Sequence, residues 1–134
     1  MERTQIERGI VKLYNDFLPT RHNKKQWEVL FHSKNYNVLY VESGNKIIGS
    51  LVCILCKNLS GQGRDYVIID NVIVHEDYRK MGIGKQLMKQ AEVWAKKNNC
   101  FKIIVVSNNK FESGGFYKKC GFENKTSKVY IKRI

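Results

Sequence analysis

Hydrophobic positions recur along the chain with two different periods, and the switches between them mark out the elements. Ile6, Ile10, Leu13, Tyr14 and Phe17 fall at helical spacing, which predicts an amphipathic first helix from about Gln5 to Leu18. Pro19 closes it, because the residue before a proline avoids the helical region. Trp27, Leu30 and Phe31 predict a second, shorter helix over Lys24 to His32. The pattern then becomes strand-like. Asn37 to Glu42 reads as a strand, Ser43-Gly44-Asn45-Lys46 as a hairpin turn, and Ile47 to Cys56 as the returning strand. Leu59 to Arg64 is a loop, and Asp65 to His75 is a third, long strand.

The helical period returns over Gly84 to Asn98. Ile83, Leu87, Met88, Ala91, Trp94 and Ala95 form an apolar stripe, with Lys85, Lys89, Glu92 and Lys96 opposite. Lys102 to Val106 is a short buried strand that must run parallel to the strand before the helix. Such a strand-helix-strand unit is right-handed in nearly every case. A last helix starts at Phe111 or Ser113 and runs to Cys120, Gly121 ends it, and Phe122 to Ile134 is expected as one or two strands. The predicted class is α/β (α+β), a mostly antiparallel mixed sheet with one parallel pair and flanking helices.

At 134 residues, residues 1–134 are expected to form one domain with a sizeable core. No apolar run approaches the roughly 18 residues that span a bilayer, and the N-terminus lacks a signal peptide's apolar core. A cytoplasmic protein with no membrane partner is the expectation. Cys53 and Cys56 have zinc-knuckle spacing, but residues three apart on a strand point to opposite faces. No second such pair completes four ligands, so no metal is expected. The net charge is +12, and residues 68–134 hold 14 basic against 6 acidic side chains. That excess fits a polyanionic ligand, and it disfavours a cationic one.

The charge is concentrated around Val72-Ile73-Val74-His75-Glu76-Asp77-Tyr78-Arg79-Lys80-Met81-Gly82-Ile83-Gly84-Lys85. Here a strand delivers its end to the start of a helix, whose first N–H groups have no partner within the helix. With the macrodipole they suit a phosphate. Gly82 and Gly84 lack Cβ atoms and admit a diphosphate close to the main chain, while Arg79, Lys80 and Lys85 add charge. The stretch is neither a Walker A loop nor a dinucleotide fingerprint, whose third glycine is replaced by Leu87. It reads R-x-x-G-x-G. Further on stands Phe116-Tyr117-Lys118-Lys119-Cys120-Gly121-Phe122, an F-Y-x-x-x-G-F segment.

Together the two motifs resemble those of the GCN5-related N-acetyltransferases, and the resemblance covers about Val38 to Ile131. Within that family the chain is nearest to small-amine acetyltransferases of the aminoalkylphosphonate type. The resemblance implies an acyl-CoA N-acyltransferase fold in which the parallel strands splay apart to admit acetyl-CoA. It implies that Ile73 and Val74 contact the pantetheine arm and the acetyl carbonyl. Arg79, Lys80, Met81, Gly82, Ile83, Gly84 and Lys85 would then wrap the pyrophosphate, with Asn109 as a further coenzyme contact. A backbone N–H near Val74 is the implied oxyanion donor and Tyr117 the implied general acid.

Asp70 is the leading candidate base, ahead of His75 and Glu112, and Asn71 is expected on the opposite strand face. Tyr14, Arg21, His22, Trp27 and Tyr36 are candidate contacts for the acceptor, a small amine of neutral or acidic character. The chain departs from the family pattern in three ways. It opens on the first helix without the usual first strand. Asn109 stands one place off the usual asparagine. Lys110, Ser113, Gly114 and Gly115 replace the more helix-prone run before the tyrosine. Two rival readings are a catalytically silent coenzyme A-binding regulator and a basic nucleic-acid-binding module, although the chain carries no familiar nucleic-acid motif. The edges left by the terminal strands are compatible with a homodimer.

Overall fold

In the computed structural model, which describes residues 1–17, 23–106, 115–123 and 128–134, the two periods resolve into eight main elements. These are α1 (Arg3–Phe17), α2 (Lys24–His32), β1 (Tyr36–Ser43), β2 (Lys46–Cys56), β3 (Asp65–Val74), α3 (Ile83–Lys97), β4 (Cys100–Val105) and α4 (Phe116–Lys119). A capping box opens α2: the Asn23 side chain accepts from the Gln26 N–H, and the Gln26 side chain accepts from the Asn23 N–H.

The sheet has the order β1-β2-β3-β4, antiparallel except for the parallel β3–β4 pair. The apolar stripe of α3 lies against one face, where Leu87 and Ala91 are fully buried among Leu51, Cys53 and Val67. Its charged stripe faces water, and Lys96 pairs with Glu92 at 3.0 Å. The α1 helix covers part of the other face through Ile10 and Leu13, which pack with Ile47 and Ile73.

Two bulges adapt the strands to these helices. One puts Ile48 as an extra residue opposite the Val41–Glu42 step, and the other puts Asn71 and Val72 opposite Leu51 alone. An inserted residue reverses the in-out alternation beyond it. Ile47 and Ile73 are thereby turned into the α1 cluster, leaving α3 to Leu51, Val67 and Ile69. Asn71, at a φ of 54°, is the residue that absorbs the β3 bulge. Asp70 and Asn71 at this bulge are both exposed.

The parallel pairing of β3 with β4 stops at Ile69 and Val105, while β3 runs on for five residues to Val74. Beyond Ile69 no described residue pairs with this edge of β3. The described helix before Gly121 begins at Phe116, with Gly115 at a φ of 75° as its N-cap, and the expected start at Phe111 or Ser113 lies outside the described residues. One expectation needs correction. Phe122, Glu123 and residues 128–134 form no strand, and Val129, Tyr130 and Ile131 are exposed. Strand propensity there has no paired, half-buried surface on which to act.

Candidate active site

The site is built where β3 outruns β4. Asp70 is the first β3 residue beyond the last parallel pair, and it is exposed at the mouth of this overrun. Its Oδ1 accepts the Asn71 N–H at 2.8 Å. Successive backbone groups of a strand point to alternate edges. The His75 N–H donates to the Ile48 carbonyl of β2 at 2.7 Å, so Val74 and, two residues back, Val72 present their backbone groups to the edge away from β2, which no described residue pairs with beyond Ile69. Ile73 is out of phase: its side chain is buried in the α1 cluster and its backbone faces β2. Strict alternation hides the bulge that turns the Ile73 backbone toward β2. The signal was present in Asp70-Asn71, two residues of low strand propensity inside a β-branched run, with an Asn that tolerates positive φ.

After Val74 the chain makes a short 3-10 turn, Glu76–Tyr78, capped by His75, whose Nδ1 accepts from the Asp77 N–H at 3.1 Å. His75 thus serves the turn. Arg79 then reaches back, and its Nε donates to the Val74 carbonyl at 3.2 Å while its guanidinium lies 5.9 Å from the Phe17 ring centroid. A guanidinium carries five donors, so bracing the loop with Nε leaves chemistry for an anion. Lys80, Met81, Gly82 and Lys85 are exposed, and Ile83 and Gly84 are half-buried.

The start of α3 is unprotected. Gly82 caps it in the left-handed region at a φ of 82° with no side-chain hydrogen bond, and no acidic residue stands in the first turn. The first i to i−4 bond is Gln86 N–H to the Gly82 carbonyl. The preceding N–H groups and the positive end of the dipole are thus a suitable seat for a diphosphate. The two glycines, however, serve different ends. A Cβ on Gly82 would meet no heavy atom within 4 Å, so that residue answers a backbone demand. A Cβ on Gly84 would stand 3.0 Å from Cζ of Phe116, so its bareness admits an aromatic ring.

That contact joins the two motifs. Phe116 opens α4, and its ring meets Tyr117 edge-on at 5.2 Å. The α4 helix stops in a Schellman motif: Phe122 N–H bonds the Tyr117 carbonyl and Gly121 N–H the Lys118 carbonyl, both at 3.0 Å, with Gly121 at a φ of 90°. The accompanying apolar contact is Tyr117 against Phe122, with centroids 5.9 Å apart. The G-F of the sequence segment is therefore a helix stop that clamps the tyrosine ring. Burial pushes the Cys120 thiol up, with Lys85 opposing.

On the α1 side of the sheet, Tyr14 stacks on Trp27 at 6.4 Å and Trp27 on Phe31 at 6.1 Å. The Tyr14 hydroxyl donates to the Asn71 carbonyl. Burial raises its titration to about 12, the nearby Ser50 hydroxyl opposes, and the Asp70 carboxylate adds to the rise. Tyr36 is exposed at the start of β1. Phe31 and the fully buried Ser50, which donates to the Leu39 carbonyl at 2.8 Å, were not foreseen. Arg21, His22, Asn109, Lys110, Glu112 and Ser113 lie outside the described residues. Among the described residues no group of His, Cys, Asp and Glu suits a metal ion. Cys53 is buried, its thiol pushed up to about 12 by desolvation, and Cys56 lies apart from it as a second free thiol. No helix among the described residues is long and apolar enough to cross a membrane.

Known proteins share both the sequence pattern and the architecture. The chain is 32% identical over 77 residues to glucosamine 6-phosphate N-acetyltransferase of Trypanosoma brucei brucei, covering 58% of this chain and 51% of that protein. It is 34% identical over 58 residues to streptothricin acetyltransferase A of Bacillus subtilis (strain 168), covering 42% of this chain and 34% of the relative. The chain thus matches about half or less of the length of these curated relatives. Among solved structures, a putative acetyltransferase from Agrobacterium tumefaciens str. C58 superposes with a TM-score of 0.81 at 21% identity, over 94% of this chain and 92% of that one. Glucosamine-6-phosphate N-acetyltransferase from Arabidopsis thaliana gives 0.80 at 18% identity, over 98% and 94%. These likenesses show the fold. Residues 8–122 match the acetyltransferase (GNAT) family model, and with both motifs in place this chain belongs to that family.

Proposed function

We propose that this protein transfers the acetyl group of acetyl-CoA to a primary amine of a small acceptor by direct attack in a ternary complex. The observation that carries the reading is the five-residue overrun of β3 into an uncapped helix start, with Phe116 seated on Gly84 beside Tyr117. The N-terminus of α3, Arg79, Lys80 and Lys85 hold the diphosphate, and the open edge at Val72 and Val74 receives the pantetheine amides. Bound there, acetyl-CoA supplies an activated thioester.

Asp70, at the mouth, takes the proton from the incoming ammonium so that its lone pair is free to attack. The Val74 N–H donates to the carbonyl oxygen as negative charge develops on it. When the carbon–sulfur bond breaks, the Tyr117 hydroxyl gives its proton to the departing thiolate, and the phenolate recovers one from the newly acylated nitrogen, leaving the neutral amide. Free coenzyme A and an N-acetyl amide are the products. A phenol with an ordinary pKa of about 10 is a suitable donor to a thiolate whose thiol titrates near 8 to 9.

The acceptor class follows from charge. A +12 chain repels polycations and draws anions, so we infer an amine that is neutral or bears an acidic group. The relative named for glucosamine 6-phosphate, an amine that carries a phosphate, fits that preference. A thiol-release assay with glucosamine 6-phosphate, glucosamine and spermidine tests it. Turnover is expected to fall in that order. Preference for spermidine would overturn the charge argument, and tight acetyl-CoA binding with no turnover of any amine would make the protein a coenzyme A-binding regulator.

A further inference from the structure

Tyr14 is half-buried, outside both sequence motifs, and its hydroxyl is committed to the backbone. We propose that Tyr14 is a positioning residue for the transfer site: by donating to the Asn71 carbonyl it holds the β3 bulge that sets Asp70 at the mouth and Val74 at the open edge. The inference rests on the roles given above to Asp70 and Val74.

The bulge is a place where β3 can lose its register. Asn71 sits at a φ of 54°, a left-handed conformation that asparagine tolerates better than most residues but that still needs the neighbouring chain to hold it in place. If the inserted residue slipped out, every β3 residue beyond it would change face and edge. Ile73 would leave the α1 cluster, and Val74 would turn its N–H toward β2. The carbonyl that Tyr14 grips belongs to that inserted residue. Tyr14 is itself braced from behind. It stands next to Leu13, which is buried in the α1 cluster, and its ring stacks on Trp27, which stacks on Phe31. Ser50 beside it is fully buried with its own proton spent on the Leu39 carbonyl. With the phenol titrating far above neutrality, the hydroxyl remains a donor throughout the working range. Its single proton goes to the protein, which argues for a positioning role over an acceptor contact.

Tyr14→Phe tests this, because it removes one oxygen and keeps the stack. The expected result is a fall in kcat of about tenfold, with the acceptor KM and the acetyl-CoA Kd each within about twofold of the wild type. Hydrogen exchange of the amides at Asn71 and Val72 is expected to accelerate while that of α3 is unchanged. Trp27→Leu, which weakens the brace, is expected to lower kcat in the same direction by less. An unchanged kcat in Tyr14→Phe, or a loss confined to the acceptor KM, would overturn the inference. Asp70→Asn run in parallel separates the two readings. Should Asp70→Asn lower kcat while Tyr14→Phe does not, positioning by Tyr14 fails and the base assignment stands. Should Tyr14→Phe alone lower it, the base assignment fails and positioning holds through Val74.

Discussion

Gly84 and Tyr117 are tied together through a single ring. The space that Gly84 leaves bare is filled by Phe116, and Phe116 meets Tyr117 edge-on. Gly84→Ala places a methyl 3.0 Å from the Phe116 ring, so the ring must yield by a few tenths of an ångström and take Tyr117 with it. Kinetics of this variant are expected to show kcat falling several-fold while acetyl-CoA affinity changes less. The opposite split would mean that Gly84 serves the diphosphate. Tyr117→Phe removes the hydroxyl and keeps the ring contact with Phe122. Its kcat is expected to drop about a hundredfold, in the range usual for losing a general acid. A variant with full kcat would leave Tyr117 as the apolar partner of the helix stop.

Among the elements, the start of α3 is the most exposed to a test. Gly82 holds a left-handed conformation with open space around it, so Gly82→Ala costs backbone strain alone, on the order of 1 to 2 kcal/mol. Thermal denaturation is expected to show a melting point lower by several degrees, with coenzyme A affinity reduced alongside. An unchanged melting point would contradict the strain. The helices and strands themselves were legible, since the α3 stripe Leu87, Met88, Ala91 and Ala95 is buried as its period demands. Neither bulge was, because period-two reading assumes the alternation that Ile48 and Asn71 break. The partner of Gly84 was hidden too, since Phe116 reaches it from a distant helix. Val129, Tyr130 and Ile131 show the converse error: strand-forming side chains without a paired strand.

Taken as a whole molecule, the chain carries 24 basic against 12 acidic residues, and exposed Lys80, Lys85, Lys118 and Lys119 lie on the segments that bear the two motifs. A field of that sign steers anions and is screened by salt. Between about 0.05 and about 0.5 M salt, where the Debye length shrinks several-fold, the KM for an anionic amine is expected to rise and that for a cationic one to fall. Salt-independent KM values would assign specificity to the pocket alone. The account depends most on one event, the capture of a diphosphate where β3 passes into α3. Titration calorimetry of acetyl-CoA into the folded protein tests it directly. A single saturable site per chain, shared in competition by free coenzyme A, is the predicted result; folded protein that takes up neither would contradict it.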